Sequence, residues 1–236
     1  TGDSEASVIN LGTINSESFT ALIAGDVQNL GDIITPGGDA ALLSGDAVIE
    51  VGEAAGGKIT MDLSGLLGGS ASNSGSIDVS SADSTGGSVA IIGESVSNAG
   101  TIDASGATGG GEVLIGGDYQ GKNENLANAQ NTFVSGTISA DALENGDGGR
   151  VIIWADGDTQ FSGSITAKGS GQGVGGFAEV SGKDNLVFRG SADLSGPNGG
   201  GELLLDPTDI TITYVGSSST LAAAGDANGN NNLESG

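Results

Sequence analysis

GGRVIIWADGDTQFSGSITAKGSGQGVGGFAEVSGKDNLVFRGSADLSGPNGGGELLLDP, residues 148–207, contains one unit more than once. A Gly-Gly pair opens a short apolar run, Arg150 to Trp154. A turn follows at Asp156-Gly157-Asp158, then an alternating stretch through Thr159 and Phe161, then Gly163, Ile165 and Ala167. The cycle restarts at Gly175-Gly176 with Phe177-Ala178-Glu179-Val180 and again at Gly200-Gly201 with Glu202-Leu203-Leu204-Leu205. Returning to the same chemistry at a near-constant interval is the mark of a solenoid.

Earlier copies extend the pattern towards the amino terminus. Val8-Ile9-Asn10-Leu11-Gly12-Thr13-Ile14 is echoed by Val27-Gln28-Asn29-Leu30-Gly31-Asp32-Ile33, 19 residues on. The form Val-x-Asn-x-Gly-x-Ile returns at Val96–Ile102, with a partial copy around Asn73 and copies without Asn at Val134–Ile138 and Phe161–Ile165. Between them lie the Gly-Gly runs at Gly56, Gly86, Gly110 and Gly148. A coil of two or three short strands cannot close a core alone. Stacked, each strand pairs in parallel with its counterpart one coil away, about 4.8 Å along the axis. The fold expected is all-β, a right-handed parallel β-helix (β-solenoid) of about eight coils. Asn10, Asn29, Asn73 and Asn98 would form a turn ladder, each amide bonded to the next coil. The alternative is the ordinary preference of Asn for turns.

Composition narrows the choices. Glycine supplies 46 of 236 residues but not every third one, so collagen is excluded. Aromatic residues make up 3%, which suits a narrow bore lined by Val, Ile, Leu and Ala. There is no cysteine and no histidine, so disulfides, thiolate metal sites and an imidazole base are excluded. Six basic residues against 30 acidic ones, net −24, argue against nucleic acid and against anionic membrane. No apolar run reaches the 18 residues that would suggest a membrane-spanning helix. Residues 1–214 are read as the solenoid, with a polar loop projecting near 119–133. Residues 215–236 are read as an irregular tail or a truncated continuation. Glu50–Gly57 could form a second, small excursion.

These motifs resemble the filamentous-haemagglutinin-like exoproteins and adhesins of bacterial two-partner secretion systems. The likeness rests on Val8–Ile14, Val27–Ile33, Gly37–Leu42, Asn98–Ile102, Gly148–Trp154, Gly176–Lys183 and Leu203–Pro207. It implies a passenger segment of a secreted or surface-displayed protein, exported through an outer-membrane transporter and used for attachment. Host or neighbouring-cell surface glycans or proteins would be its partners. A purely structural stalk or sheath segment is the alternative. Exposed coil ends would favour end-to-end self-association.

Candidate site residues follow from chemistry. Tyr119, Lys122 and Asn123 belong to the projecting loop, and Trp154 could stack on a sugar, although packing is the commoner fate of an aromatic in an apolar run. Carboxylate pairs Asp156 with Asp158 and Asp206 with Asp209 invite a polysaccharide-degrading reading. Each pair lies at a turn, where Asp is favoured for local bonding, so the chain is expected not to be an enzyme. Arg150 and Arg189 are read as strand-edge partners of solvent carboxylates. No cofactor is expected. Calcium is the one ion considered, with Asp226, Asn228 and Asn230 as oxygen donors at alternate positions.

Overall fold

The computed structural model describes residues 6–45, 52–53, 59–60, 68–206 and 210–212. The described residues form a parallel β-helix of three sheets. Sheet 1 has eight strands, beginning Ser7–Asn10, Asp26–Asn29, Ser70–Asn73 and Ser95–Asn98 and ending with Ile210–Ile212. Sheet 2 has seven strands of three residues each, from Thr13–Asn15 to Ser191–Asp193. Sheet 3 carries the Gly-Gly runs in seven strands, from Phe19–Ala24 to Glu202–Leu204. Seven coils therefore hold all three strands, one fewer than the spacing suggested, and sheet 1 adds an eighth strand.

Register is set by side-chain columns. Ile14, Ile33, Ile77, Ile102, Ile138 and Ile165 stand one above another along sheet 2. Val89, Val113 and Val151 do the same on sheet 3. Nearly all these side chains are fully buried and belong to one continuous core. Burying each is worth about 1.5–3 kcal/mol. A slip of one residue would turn a whole column to solvent, so the pattern fixes the pairing.

The motif asparagines face inward at the corner between sheets 1 and 2, where an unpaired amide would be costly. Asn10, Asn29 and Asn73 each donate from Nδ2 to Oδ1 of the next, at 2.8 Å, the last to Asn98. Each also donates to a backbone carbonyl of the next coil: Asp32, Ser76 or Thr101. The ladder stops at Asn98, because the next coil offers Val134 in that column. The Asn98 Nδ2 is buried without a partner. Phe161 and Phe188 continue the column, stacked at 5.0 Å between ring centroids.

The motif glycine answers to a different constraint. At this corner Gly31, Gly75, Gly100, Gly136, Gly163 and Gly190 sit directly over the glycine of the preceding coil. A Cβ on any of them would lie 2.0–2.2 Å from that glycine's carbonyl oxygen.

The Gly56 copy of the Gly-Gly run does not form a coil strand. Ile59–Thr60 pairs antiparallel with Gly52–Glu53 in a separate two-stranded sheet. Sheet 3 passes directly from Asp39–Ser44 to Ser88–Ile92. A Gly-Gly pair marks a place where backbones can approach, but the pairing partner decides whether a coil is built there. Of the expected Glu50–Gly57 excursion, only Gly52–Glu53 lies within the described residues, and it pairs outside the three sheets of the stack. The 215–236 segment lies outside the described residues.

Gly100→Ala should lower stability by about 3 kcal/mol, since backbone cannot yield to an inserted methyl as a side chain can. Gly12→Ala has nothing within 4 Å of the new Cβ and should stay within about 0.5 kcal/mol of wild type. Denaturant unfolding of the two variants side by side checks the difference.

Candidate functional site

Sheet 3 differs from the other two on its outer face. Ala41, Leu43 and Ile92 form an apolar patch there, and Ile152, Trp154 and Glu179 are buried farther along the same face. A parallel strand that is apolar on both faces requires a cover. Residues 116–130 supply it.

This segment leaves sheet 3 after Ile115 and closes on itself where the Ala129 N–H donates to the Gly116 carbonyl at 2.6 Å. It is a compact loop with adjoining ends. Asp118 caps a short 3-10 turn, Tyr119–Gly121, by accepting from the Tyr119 N–H at 2.6 Å. Gln120 adopts φ +53°, the one non-glycine residue with positive φ among those described. The loop does not project. It lies along sheet 3 as a strap, because the apolar residues beneath it lose more by facing water than the loop gains by being free.

Four contacts fasten the strap. Arg150 pairs with Glu112 on its own sheet and with Asp118 of the strap. The Tyr119 ring meets Phe177 edge-on, with centroids 5.8 Å apart. The Gln120 N–H donates to the Glu179 carboxylate at 3.1 and 3.3 Å. Leu126 and Ala127 pack on the patch of Ala41, Leu43 and Ile92.

Charge follows from these contacts. Burial pushes the Glu179 carboxyl above the usual range, and the nearby Asp206 charge adds to that. The Gln120 N–H, the Ser181 hydroxyl and the Arg150 charge oppose the rise without cancelling it. For Asp118, burial acts in the same upward direction. It is outweighed by bonds from the Tyr119 N–H, Arg150 and Asn123, which hold the carboxyl below its usual value.

The expected binding residues meet different fates. Tyr119 is 42% exposed, and Lys122 is exposed with its ammonium donating to the Gln120 side-chain carbonyl at 2.5 Å. Asn123 is half-buried, bonds Asp118 at 2.9 Å and accepts from the Asn125 N–H, so it shapes the turn. Trp154 is 5% exposed, so of its two readings packing holds and the open stacking platform does not. Gly121 lies against its ring, where a Cβ would come within 2.7 Å, and its Nε1–H donates to Asp156 at 3.1 Å. Asp156 and Asp158 do not act as a pair. Asp156 serves Trp154 and Asn128, while Asp158 stands exposed at the head of its strand. Arg150 does partner carboxylates, whereas Arg189 makes no ion pair among the described residues. Asp209, Asp226, Asn228 and Asn230 lie outside the described residues. Among those described, no group of three or more acidic side chains is placed to hold a metal.

Sequence reasoning passed over Asn128, Lys183 and Glu179. Where the strap meets sheet 3, Lys122, Asn128, Trp154, Asp156, Lys183 and Asp206 line a cleft of about 340 Å³. The Asn128 Nδ2 donates to the Gly121 carbonyl at 2.9 Å, and its Oδ1 is buried without a partner. A second, longer groove of about 570 Å³ runs along the Gly-Gly corner, floored by Gly110, Gly148 and Gly176 and edged by Arg150 and Phe177. The available signal was the run Val151–Ala155, which does not alternate and therefore needs burial on both faces.

Among solved structures, the chain is similar to a bacterial secretion domain. That domain is the HMW1 secretion domain of Haemophilus influenzae, at 25% identity and a TM-score of 0.43. The match covers 85% of this chain, which spans 66% of that domain's length. No family model matches the chain, and no curated protein does.

Strap stability should fall as pH rises from the ordinary glutamate range through the raised Glu179 value. Over that interval the folded chain holds a proton that the unfolded chain has released. Glu179→Gln should abolish this decline. The Asp118 contribution runs the other way: it is present above the ordinary aspartate value and lost as pH falls through the lowered one, and it should persist in the variant. Thermal unfolding followed by Trp154 emission across pH steps separates the two.

Proposed function

We propose that the chain is a rigid, acidic rod segment of a secreted or surface-displayed bacterial exoprotein, and that it mediates attachment to glycans or proteins of other surfaces. The observation that carries this reading is the strap with its cleft. A solenoid serving only as a spacer needs a cover over its apolar face, but not a polar recess between cover and sheet. The sequence motifs shared with two-partner exoproteins support export through an outer-membrane transporter. No helix among the described residues is long and apolar enough to cross a membrane.

Catalysis is not part of this reading. Glu179, the carboxyl held towards its protonated form, is fully buried beneath the strap and has no open path to a glycosidic bond. Asp156 is committed to Trp154 and Asn128.

The stalk reading is favoured by the evenness of sheet 2, whose apolar column runs from Ile14 to Ala192 through all seven of its strands. A binding experiment decides between the two. The immobilised chain should bind a subset of a glycan and cell-surface protein panel saturably, with no shortening of any polysaccharide. Absence of binding across the panel would leave the stalk, and release of shortened chains would restore the enzyme.

The rod is also proposed to associate end to end. The first-coil strands Ser7–Asn10, Thr13–Asn15 and Phe19–Ala24 each have a described partner on one side only. Sedimentation should show weight-average mass rising with concentration; a monomer at millimolar protein would refute this.

A further inference from the structure

The groove along the Gly-Gly corner is built differently from the rest of the surface. On sheet 2 the outward column reads Ser76, Thr101, Thr137 and Ser164, short polar side chains in every coil. On sheet 3 the outward column of the same coils reads Ser88, Glu112, Arg150 and Phe177. Stacking asks only that an outward residue tolerate water. It does not call for a hydroxyl, a carboxylate, a guanidinium and a phenyl ring in consecutive coils. These four side chains line the groove of about 570 Å³, within the ordinary range of ligand cavities. Its glycine floor runs from Gly86 to Gly176, three coil steps along the rod, or about 14 Å.

The lining excludes several kinds of ligand. The N–H groups of Gly110, Gly148 and Gly176 already donate, to the Asp147, Val174 and Ala167 carbonyls at 2.8–3.0 Å. The floor therefore cannot pair with a peptide strand or cradle an anion. Arg150 is committed to Glu112 and Asp118, which leaves that trio with one negative charge in excess. The chain as a whole carries −24, so an anionic polymer is repelled. A cation finds no unpaired carboxylate in the lining, because Glu112 is the one acid there and it faces Arg150.

What remains suits a neutral, elongated molecule with hydroxyls along its edges and C–H groups on its faces. The hydroxyls of Thr85 and Ser88 can donate and accept. Glu112 gives one oxygen to Arg150 and keeps the other to accept. The Phe177 ring, half-buried and met edge-on by Tyr119, supplies apolar surface at one end of the groove. We infer that the Gly-Gly corner groove binds a neutral linear glycan lying along the rod axis, with sugar C–H faces on the glycine floor and on Phe177. This deepens the attachment reading above and rests on it.

The full chain is titrated calorimetrically with cello-, malto- and β-manno-oligosaccharides, each from the monosaccharide to the hexamer, and with oligogalacturonates as the anionic counterpart. At least one neutral series should bind, with affinity rising with chain length and then levelling once the groove is filled. Phe177→Leu should weaken the longer oligomers by about tenfold, the scale of one aromatic contact. Ser88→Tyr, three coils from Phe177 on the same wall, should remove the gain from added length without touching the aromatic end. Ser97→Tyr, on the outer face of sheet 1, should bind as wild type does. Affinity independent of length, preference for the oligogalacturonates, or binding indifferent to both groove variants would overturn the proposal. If the glycan and protein panel binds while every neutral series stays flat, the groove is refuted and attachment stands. Silence in both experiments would remove both.

Discussion

Everything in this molecule depends on the close approach of successive coils. Strand pairing fixes the coil spacing at about 4.8 Å, and at the corner between sheets 1 and 2 the backbone of one coil rests on the carbonyl of the coil before it. No side chain fits there, which is why glycine recurs in that column from Gly31 to Gly190. Once the spacing is imposed, every inward column must be self-complementary along the axis. Isoleucine on isoleucine meets that condition by shape, and asparagine on asparagine meets it by hydrogen bonding.

The same spacing explains how polar groups are tolerated inside so narrow a bore. The asparagine amide carries two donors and an acceptor, and one coil displacement brings one donor onto the acceptor of its copy and the other onto a backbone carbonyl. Thr132 and Thr159 solve the problem differently. Their buried hydroxyls each donate at 2.7 Å to a carbonyl at the end of a sheet 3 strand, that of Trp154 or Ser181. The cost appears at the junction between solutions, where the Asn98 amide meets Val134 and its Nδ2 is left unmatched.

Sheet 3 departs from the simple rule of one face in and one face out. Its strands are apolar on both faces, and the strap is the response. The cover need not be apolar throughout: it uses Leu126 and Ala127 over the patch, then changes to hydrogen bonds and charge around Arg150, Glu179 and Asp156. The change from one regime to the other leaves the cleft, since polar groups arranged around a bulky indole do not fill space as aliphatic side chains do.

What the sequence by itself determined is the repeating part. The Val-x-Asn-x-Gly-x-Ile copies placed three columns of sheets 1 and 2, and the loss of Asn after residue 98 marked where the amide ladder stops. These are legible because a solenoid turns sequence offset directly into spatial adjacency. Only the tertiary structure decided the rest. That residues 116–130 lie flat on sheet 3 depends on Leu43, Phe177 and Glu179, which come from two coils far apart along the stack. That Ile59–Thr60 turns back on Gly52–Glu53 instead of joining sheet 3 was a choice between two pairing partners of similar local chemistry. The cleft joins Asn128 to Asp206 across 78 positions of chain, and no motif spans that distance because neither residue belongs to the repeat. Periodicity encodes contacts between equivalent positions, whereas a site is made where non-equivalent ones meet.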